Sequence, residues 1–581
     1  MIQTAEDVPR FDRRLADPAR RVSRIGTGAL GGKAQGLVAA ARILDARRAE
    51  LERPGLRLDV PALCVVATSV FDAFLERNRL LPLVAEEPRD ERIALAFQRA
   101  VLPTEWLGDL RAVAQEARAP LACRSSSLLE DALSRPFAGV YGTKMIPGRQ
   151  KDAAGRFKGL ADAVKFVYAS TFLHEARAYR RAVGEQAAAE KMAVVIQELV
   201  GRRHGDRFYP DISGVARSWN FYPAGPAEPR EGVVSLAVGL GKTIVDGGAC
   251  WSFSPAHPQL PPPVRSAREL LDVTQRRFWA VNLGAPPPYD PMAETEFLVQ
   301  PELAAAEADG TLRYAASTYD VRSDRLAPGL GRAGARVLDF APTLVWGELP
   351  LVPALRRLLA ACEEELQAPV EIEFALSLPE GEPARLGFLQ VRPLLVSGDE
   401  VRVDEDELRA PRTLVASTAA LGNGRAEVRD VVFVDPATFE ARLTPAIAAE
   451  IEILNRGLVE AGRPYLLIGF GRWGSSDPWL GIPVRFDQVA GARGIVEAAL
   501  PGMNPEPSQG SHFFHNLQSV SALFFTALPG GPAVDWSWLA AQQTVAATEH
   551  VRHVRTGAPL VLRVDGRTRR GSVTRGESGA P

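Results

Sequence analysis

The stretch "EIEFALSLPEGEPARLGFLQVRP", residues 371–393, reads as two strands joined by a turn. Side chains two apart on a strand share a face. Glu371 and Glu373 therefore align on the first strand and Gln390 and Arg392 on the second, while Ile372, Phe374, Leu389 and Val391 form the opposite, apolar face. Two carboxylates beside an amide oxygen and an arginine suit a metal ion and a phosphate. The same pattern also describes the solvated outer face of an edge hairpin, and only companion residues elsewhere decide between the two.

The rest of the sequence limits what those companions serve. A chain of 581 residues exceeds one ordinary core, and its length predicts three or four domains. Hydrophobic residues make up 46% and charged residues 24%, the balance of a globular protein. A net charge of −2 gives no global field for nucleic acid, so any anion site is local. The stretch 1–21 has no apolar core behind its positive charges, and no run of about 18 apolar residues follows, so no membrane partner and a cytoplasmic location are expected. Cys64, Cys123, Cys250 and Cys362 form no CxxC pair and read as small core residues. Seven lysines stand against 61 arginines, all at or before position 242. A lysine kept under such a bias points to a need for a compact charge, and Lys33 and Lys242 both lie in glycine-rich loops.

Along the chain, GTGALGGKAQGLVAAARIL (26–44) leads from a glycine loop into a helix, the shape of an anion-binding helix start. VPALCVVAT (60–68) reads as a buried strand, followed by a helix over 69–81 capped by Ser69. Helical patterns are expected over 165–183, 267–282 and 350–366, and a strand over 191–200. A charged connector at 397–411 predicts a domain boundary. Beyond it, strands (VVFVD, YLLIGF, APLVLRVD) alternate with helices expected near 443–461 and 487–500, a small α/β domain over 412–566. Residues 567–581 read as a disordered tail.

GLGKT (239–243) fails as a P-loop because Leu236 stands where its first glycine belongs, and the Lys33 loop fails because Thr27 and Ala34 take the glycine and hydroxyl positions. The ordered set GGKAQGL, CRSSSLLED with FAG behind it, AVKFVYASTFLHEARAYR, VVIQELV, ISGVA, GLGK, and EIEFAL with FLQVRP instead resembles the ATP-grasp nucleotide-binding half of the pyruvate, phosphate dikinase and phosphoenolpyruvate synthase family, over roughly residues 20–396. The resemblance implies an α/β (α+β) multi-lobe ATP-grasp unit followed by the small α/β domain. It also implies Mg2+ and ATP as cofactors and an ATP-dependent phosphotransferase (kinase) of the pyruvate, water dikinase type.

Carried over by residue, the resemblance makes Lys33 and Arg124 phosphate ligands. It makes Glu371, Glu373 and Gln390 the magnesium set, and Arg392 the group facing the terminal phosphate. Gln197 and Glu198 would lie near adenine, and Arg177 and Arg180, on one helix face, would guide phosphate or be solvated. Phosphoryl transfer requires this kind of chemistry, a metal bridging phosphate oxygens and cations aimed at equatorial charge.

Some positions depart from the family. Ser235 and Lys242 stand where it usually has acidic residues, although Lys242 could add positive charge near the phosphates. The Thr-Ser-His-Ala-like motif of the family's swivelling domain and its pyruvate-binding barrel are missing, so a stand-alone member is expected. Phosphate would then pass to a small-molecule or protein acceptor, to a histidine-carrier partner, or to the C-terminal domain. There Gly469, Gly471, Arg472, Gly474, Ser475 and Ser476 form either a phosphate loop or a turn packed around Trp473 and Trp479. His512, preceded by Gly510 and Ser511, is the best internal acceptor; a structural role for it and for His515 is the competing reading. Two other readings of the whole are an ATP-sensing module without transfer and an ATP-grasp carboxylate ligase.

Overall fold

The computed structural model describes residues 8–13, 21–86, 88–127, 130, 140–148, 152–182, 190–220, 226–246, 248–260, 267–288, 290–394, 401–475, 479, 481–485, 488–500, 522–527, 534–566 and 568–576. They fall into two compact units, the first made mostly of residues up to Leu394 and the second mostly of residues from Leu395. The first unit is a mixed α/β assembly. A five-stranded sheet runs in the order Val22–Ile25, Leu63–Val66, Met192–Glu198, Leu121–Ser127, Thr143–Ile146. A six-stranded sheet runs Trp251–Phe253, Val233–Ala237, Ile212–Arg217, Val370–Ser377, Ala384–Pro393, Leu56–Asp59. The opening hairpin is therefore interior to its sheet, and the solvated-edge alternative fails.

The hairpin also carries a bulge. Glu373 pairs with Gln390, but Phe374 pairs with Phe388, which leaves Leu389 as the extra residue. Phe388 thus takes the core place expected of Leu389, beside Ile372, Phe374 and Val391.

The helix Gly32–Leu51 buries Leu37, Ala40, Ile43 and Leu44, and lies so close to the hairpin that a Cβ on Gly36 would stand 2.3 Å from the carbonyl oxygen of Val391. The next helix, Thr68–Arg77, is not capped by Ser69. The Ser69 and Thr68 hydroxyls instead accept from the backbone N–H of Thr27 (2.9 Å) and Ala29 (3.0 Å), and so hold the glycine loop. Gly31 has φ 77°, and a Cβ there would sit 1.9 Å from the carbonyl oxygen of Ser126. Gly31→Ala is expected to cost about 3 kcal/mol or more in denaturant titration. A loss within about 0.5 kcal/mol of wild type would show that the loop does not pack this way.

Other local expectations change. The 165–183 pattern divides into helices Ala153–Ser170 and His174–Ala182, and 267–282 into helix Ala267–Val273 and strand Ala280–Asn282. Cys64, Cys123 and Cys362 are buried and Cys250 is exposed. Burial pushes the three buried thiols up to about 12, which leaves them protonated at neutral pH.

In the second unit the parallel neighbours Gly424–Val434, Tyr465–Phe470, Ala492–Ala498 and Leu523–Ala527 continue through antiparallel Val551–Asp565 and Arg570–Arg575 to Thr413–Ser417. The helix expected near 487–500 is thus a strand, because its apolar residues are buried on both faces of a sheet. The tail expected to be disordered supplies the strand Arg570–Arg575, and part of the connector is the helix Glu405–Arg409. Trp473 is buried and its ring NH donates to the Val496 carbonyl at 3.0 Å, whereas Trp479 is 70% exposed. The turn therefore packs around Trp473 and not around Trp479. Ser476, Gly510, Ser511, His512 and His515 lie outside the described residues. No helix among the described residues is long and apolar enough to cross a membrane.

Candidate nucleotide site

Strand alternation orders the first sheet's face. Ala122 pairs with Gln197 and Arg124 with Val195, so Arg124, Gln197 and Ser126 project from one face. At the Ser126 end, the Ser126 hydroxyl donates to the Leu30 carbonyl (2.8 Å) and accepts from Ala34 N–H (3.0 Å). This seats the start of the helix that carries Lys33. Lys33 is 8% exposed, and its Nζ donates to Glu130 Oε1 (2.9 Å) and the Ser125 carbonyl (3.1 Å). An ammonium has three N–H donors, so one remains for a ligand.

Arg124 reaches from this sheet to the hairpin. One nitrogen, Nη2, donates to Glu373 Oε2 at 2.8 Å and to Gln390 Oε1 at 2.6 Å, and Nη1 donates to the Leu389 carbonyl at 2.9 Å. A carboxylate and an amide oxygen converging on one cationic nitrogen form a hard oxygen set, and Glu373 and Gln390 therefore fit Mg2+.

Glu371 is placed differently from the expected metal ligand. It stands between Arg217 and Arg392 in the ladder, and both carboxylate oxygens are occupied: Oε2 by Arg217 Nε (2.6 Å), Oε1 by Arg392 Nε (2.8 Å). All three side chains are buried, which forces this pairing, since an uncompensated charge there would be costly. In this structure Glu371 is the counter-ion of two arginines. Arg392 is held by Glu371 in turn.

Gln197 is 2% exposed and its Nε2 has no hydrogen-bond partner, an orphaned donor on the same face as Arg124. Glu198 points to the opposite face because the strand alternates, and it accepts from Arg118 N–H at 2.7 Å. Ser235 lies in the ladder row of Val215, Glu373 and Gln390, with its hydroxyl 2.8 Å from that of Ser252. Lys242 is paired with Asp246 Oδ2 (3.1 Å) and Glu294 Oε1 (3.5 Å). Burial lowers its pKa, but these two carboxylates outweigh burial and raise it. Arg177, also buried, lies 3.5 Å from Asp90 and is not a solvated helix charge; Arg180 is buried as well.

Two contributors were missed by reading the sequence. Arg217 ends the strand that begins with the ISGVA motif, and alternation could have placed it beside Glu371. Glu130 lies inside CRSSSLLED, where an acid five residues after the strand's Ser125 carried no visible role; its Oε1 also accepts from the Ser125 hydroxyl at 2.9 Å.

The family described as pyruvate phosphate dikinase, AMP/ATP-binding domain, matches residues 27–412. A Bacillus subtilis (strain 168) protein named "uncharacterized phosphotransferase YvkC" is 26% identical over 193 residues, which are 33% of this chain. That alignment spans 20% of the relative's length. With more than half of its length matched, and with the family's motif residues gathered from two sheets onto Arg124, the chain belongs to the pyruvate phosphate dikinase AMP/ATP-binding domain family.

Proposed function

We propose that the chain is an ATP-dependent phosphotransferase of the dikinase type, taking phosphate from Mg-ATP to a small-molecule or protein acceptor. The observation that carries this reading is the convergence of Glu373 Oε2 and Gln390 Oε1 on Arg124 Nη2. Gln197, Arg124 and Ser126 lie along one face over a span of roughly 13 Å at about 3.3 Å per residue, enough to lay a nucleotide out from base to triphosphate. In this reading the orphaned Gln197 Nε2 donates to the base. Arg124 orients phosphate oxygens through its planar fork. Lys33 contributes its remaining N–H, aided by the first turn of the helix Gly32–Leu51, whose free backbone N–H groups favour anions. Glu373 and Gln390 would hold Mg2+, which would supply positive charge to offset that developing on the transferred phosphate. Arg392, fixed by Glu371, adds positive potential without a flexible side chain to order. A histidine-carrier partner and His512 are the proposed acceptors of phosphohistidine type.

Incubation of the full chain with Mg2+ and γ-labelled ATP, followed by mass spectrometry of protein and products, tests the reading. Expected is nucleotide turnover, or label on the chain, that chelator abolishes. Nucleotide binding without turnover would make the chain a sensor instead, and turnover only with an added carboxylate and an amine or thiol would make it a ligase.

A further inference from the structure

The second unit holds a side-chain cluster that the nucleotide reading does not use. The helix Thr444–Glu460 carries Glu450, and the turn between strands Gln543–Ala547 and Val551–Asp565 carries Glu549 and His550. One oxygen of each glutamate and one ring nitrogen of His550 lie within 4.8 Å of one another. Beside them is a cavity of about 240 Å³ whose lining includes Asp435, Thr544, Thr548, Glu549, His550 and Arg552.

We propose that Glu450, Glu549 and His550 bind a divalent transition-metal ion of the zinc class, with a further coordination position facing this cavity. His550 is 7% exposed, yet its Nδ1 is sealed from solvent without a hydrogen-bond partner. Its Nε2 stands 3.9 Å from Glu549 Oε1, beyond hydrogen-bond reach. A ring nitrogen is thus left without a protein partner and is available to a metal ion. Glu450 is already oriented, since its Oε2 accepts from the Thr548 hydroxyl (2.5 Å) and His550 N–H (2.9 Å), leaving Oε1 for a ligand.

The charges agree with a divalent ion. Arg552 is spent on Asp435 at 2.8 Å, so Glu450 and Glu549 leave two negative charges to be neutralised. An imidazole nitrogen among carboxylates selects zinc-like ions over magnesium, which favours oxygen ligands and water. Tetrahedral bonds of about 2.1 Å need ligand atoms roughly 3.4 Å apart. The side chain of Glu549, 83% exposed, is free to close the remaining gap.

The test strips the full chain with chelator and titrates it with Zn2+ by calorimetry and with Co2+ by visible absorption. Expected is one ion per chain that is retained in Glu373→Gln, at least about tenfold weaker in Glu549→Gln, and abolished in His550→Asn. Because Glu549 is exposed, its variant reads the site without threatening the fold. The proposal is overturned by affinity weaker than about 10 µM, by affinity unchanged in both cluster variants, or by binding that disappears with Glu373.

Discussion

Glu373→Gln is expected to lower ATP turnover on the order of 10²-fold or more while leaving the protein folded. The change removes one negative charge with little change in shape, at an oxygen that shares Arg124 Nη2 with Gln390. A lost metal ligand of this kind costs several kcal/mol of transition-state stabilisation, which corresponds to about two decades or more in rate. Steady-state turnover at saturating Mg-ATP, with circular dichroism as the fold control, checks the outcome. Full activity in this variant would remove Glu373 from the site.

The largest expected effect on stability belongs to Glu371→Gln. Arg217, Glu371 and Arg392 are neighbours in one ladder row and all are buried, so one carboxylate charge is shared by two guanidinium groups shielded from water. A glutamine there removes the negative charge that both guanidinium groups share and turns an amide NH2 toward one of them, donor against donor. Breaking a buried ion pair by removing one partner costs about 3–5 kcal/mol. Denaturant titration of the full chain should show that loss in the transition of the nucleotide-binding unit. A change below about 1 kcal/mol would mean that water reaches the row and that its charges act as surface pairs.

The candidate site was partly legible in the hairpin itself. Period-two alternation placed Glu371 with Glu373 and Gln390 with Arg392 because side-chain direction on a strand is a local property. It did not show the bulge at Leu389, which shifts Phe388 into the core, or that Arg124 donates to the Leu389 carbonyl. Nor did it separate the roles of the two glutamates: Glu371 meets Arg217 and Glu373 meets Arg124 only through pairing with strands far away in the chain. Ser69 failed as a cap for the same reason. Its hydroxyl had a local use open to it and took a distant one, on the glycine loop 42 residues earlier.

What the sequence by itself determined are properties with a short range: glycine positions where a Cβ has no room, the helix start at Lys33, the alternation of the hairpin, and the ordered motifs that carry the family resemblance. Tertiary structure decided which of these side chains meet. Arg124 and Glu373 are 249 residues apart, and Lys33 and Glu130 are 97 apart. The strand expected to be a helix at 492–498 and the tail that became a strand at 570–575 were settled in the same way. In each case the deciding energy is burial against neighbours and completion of a ladder, and neither is present in the segment until the rest of the chain has folded around it.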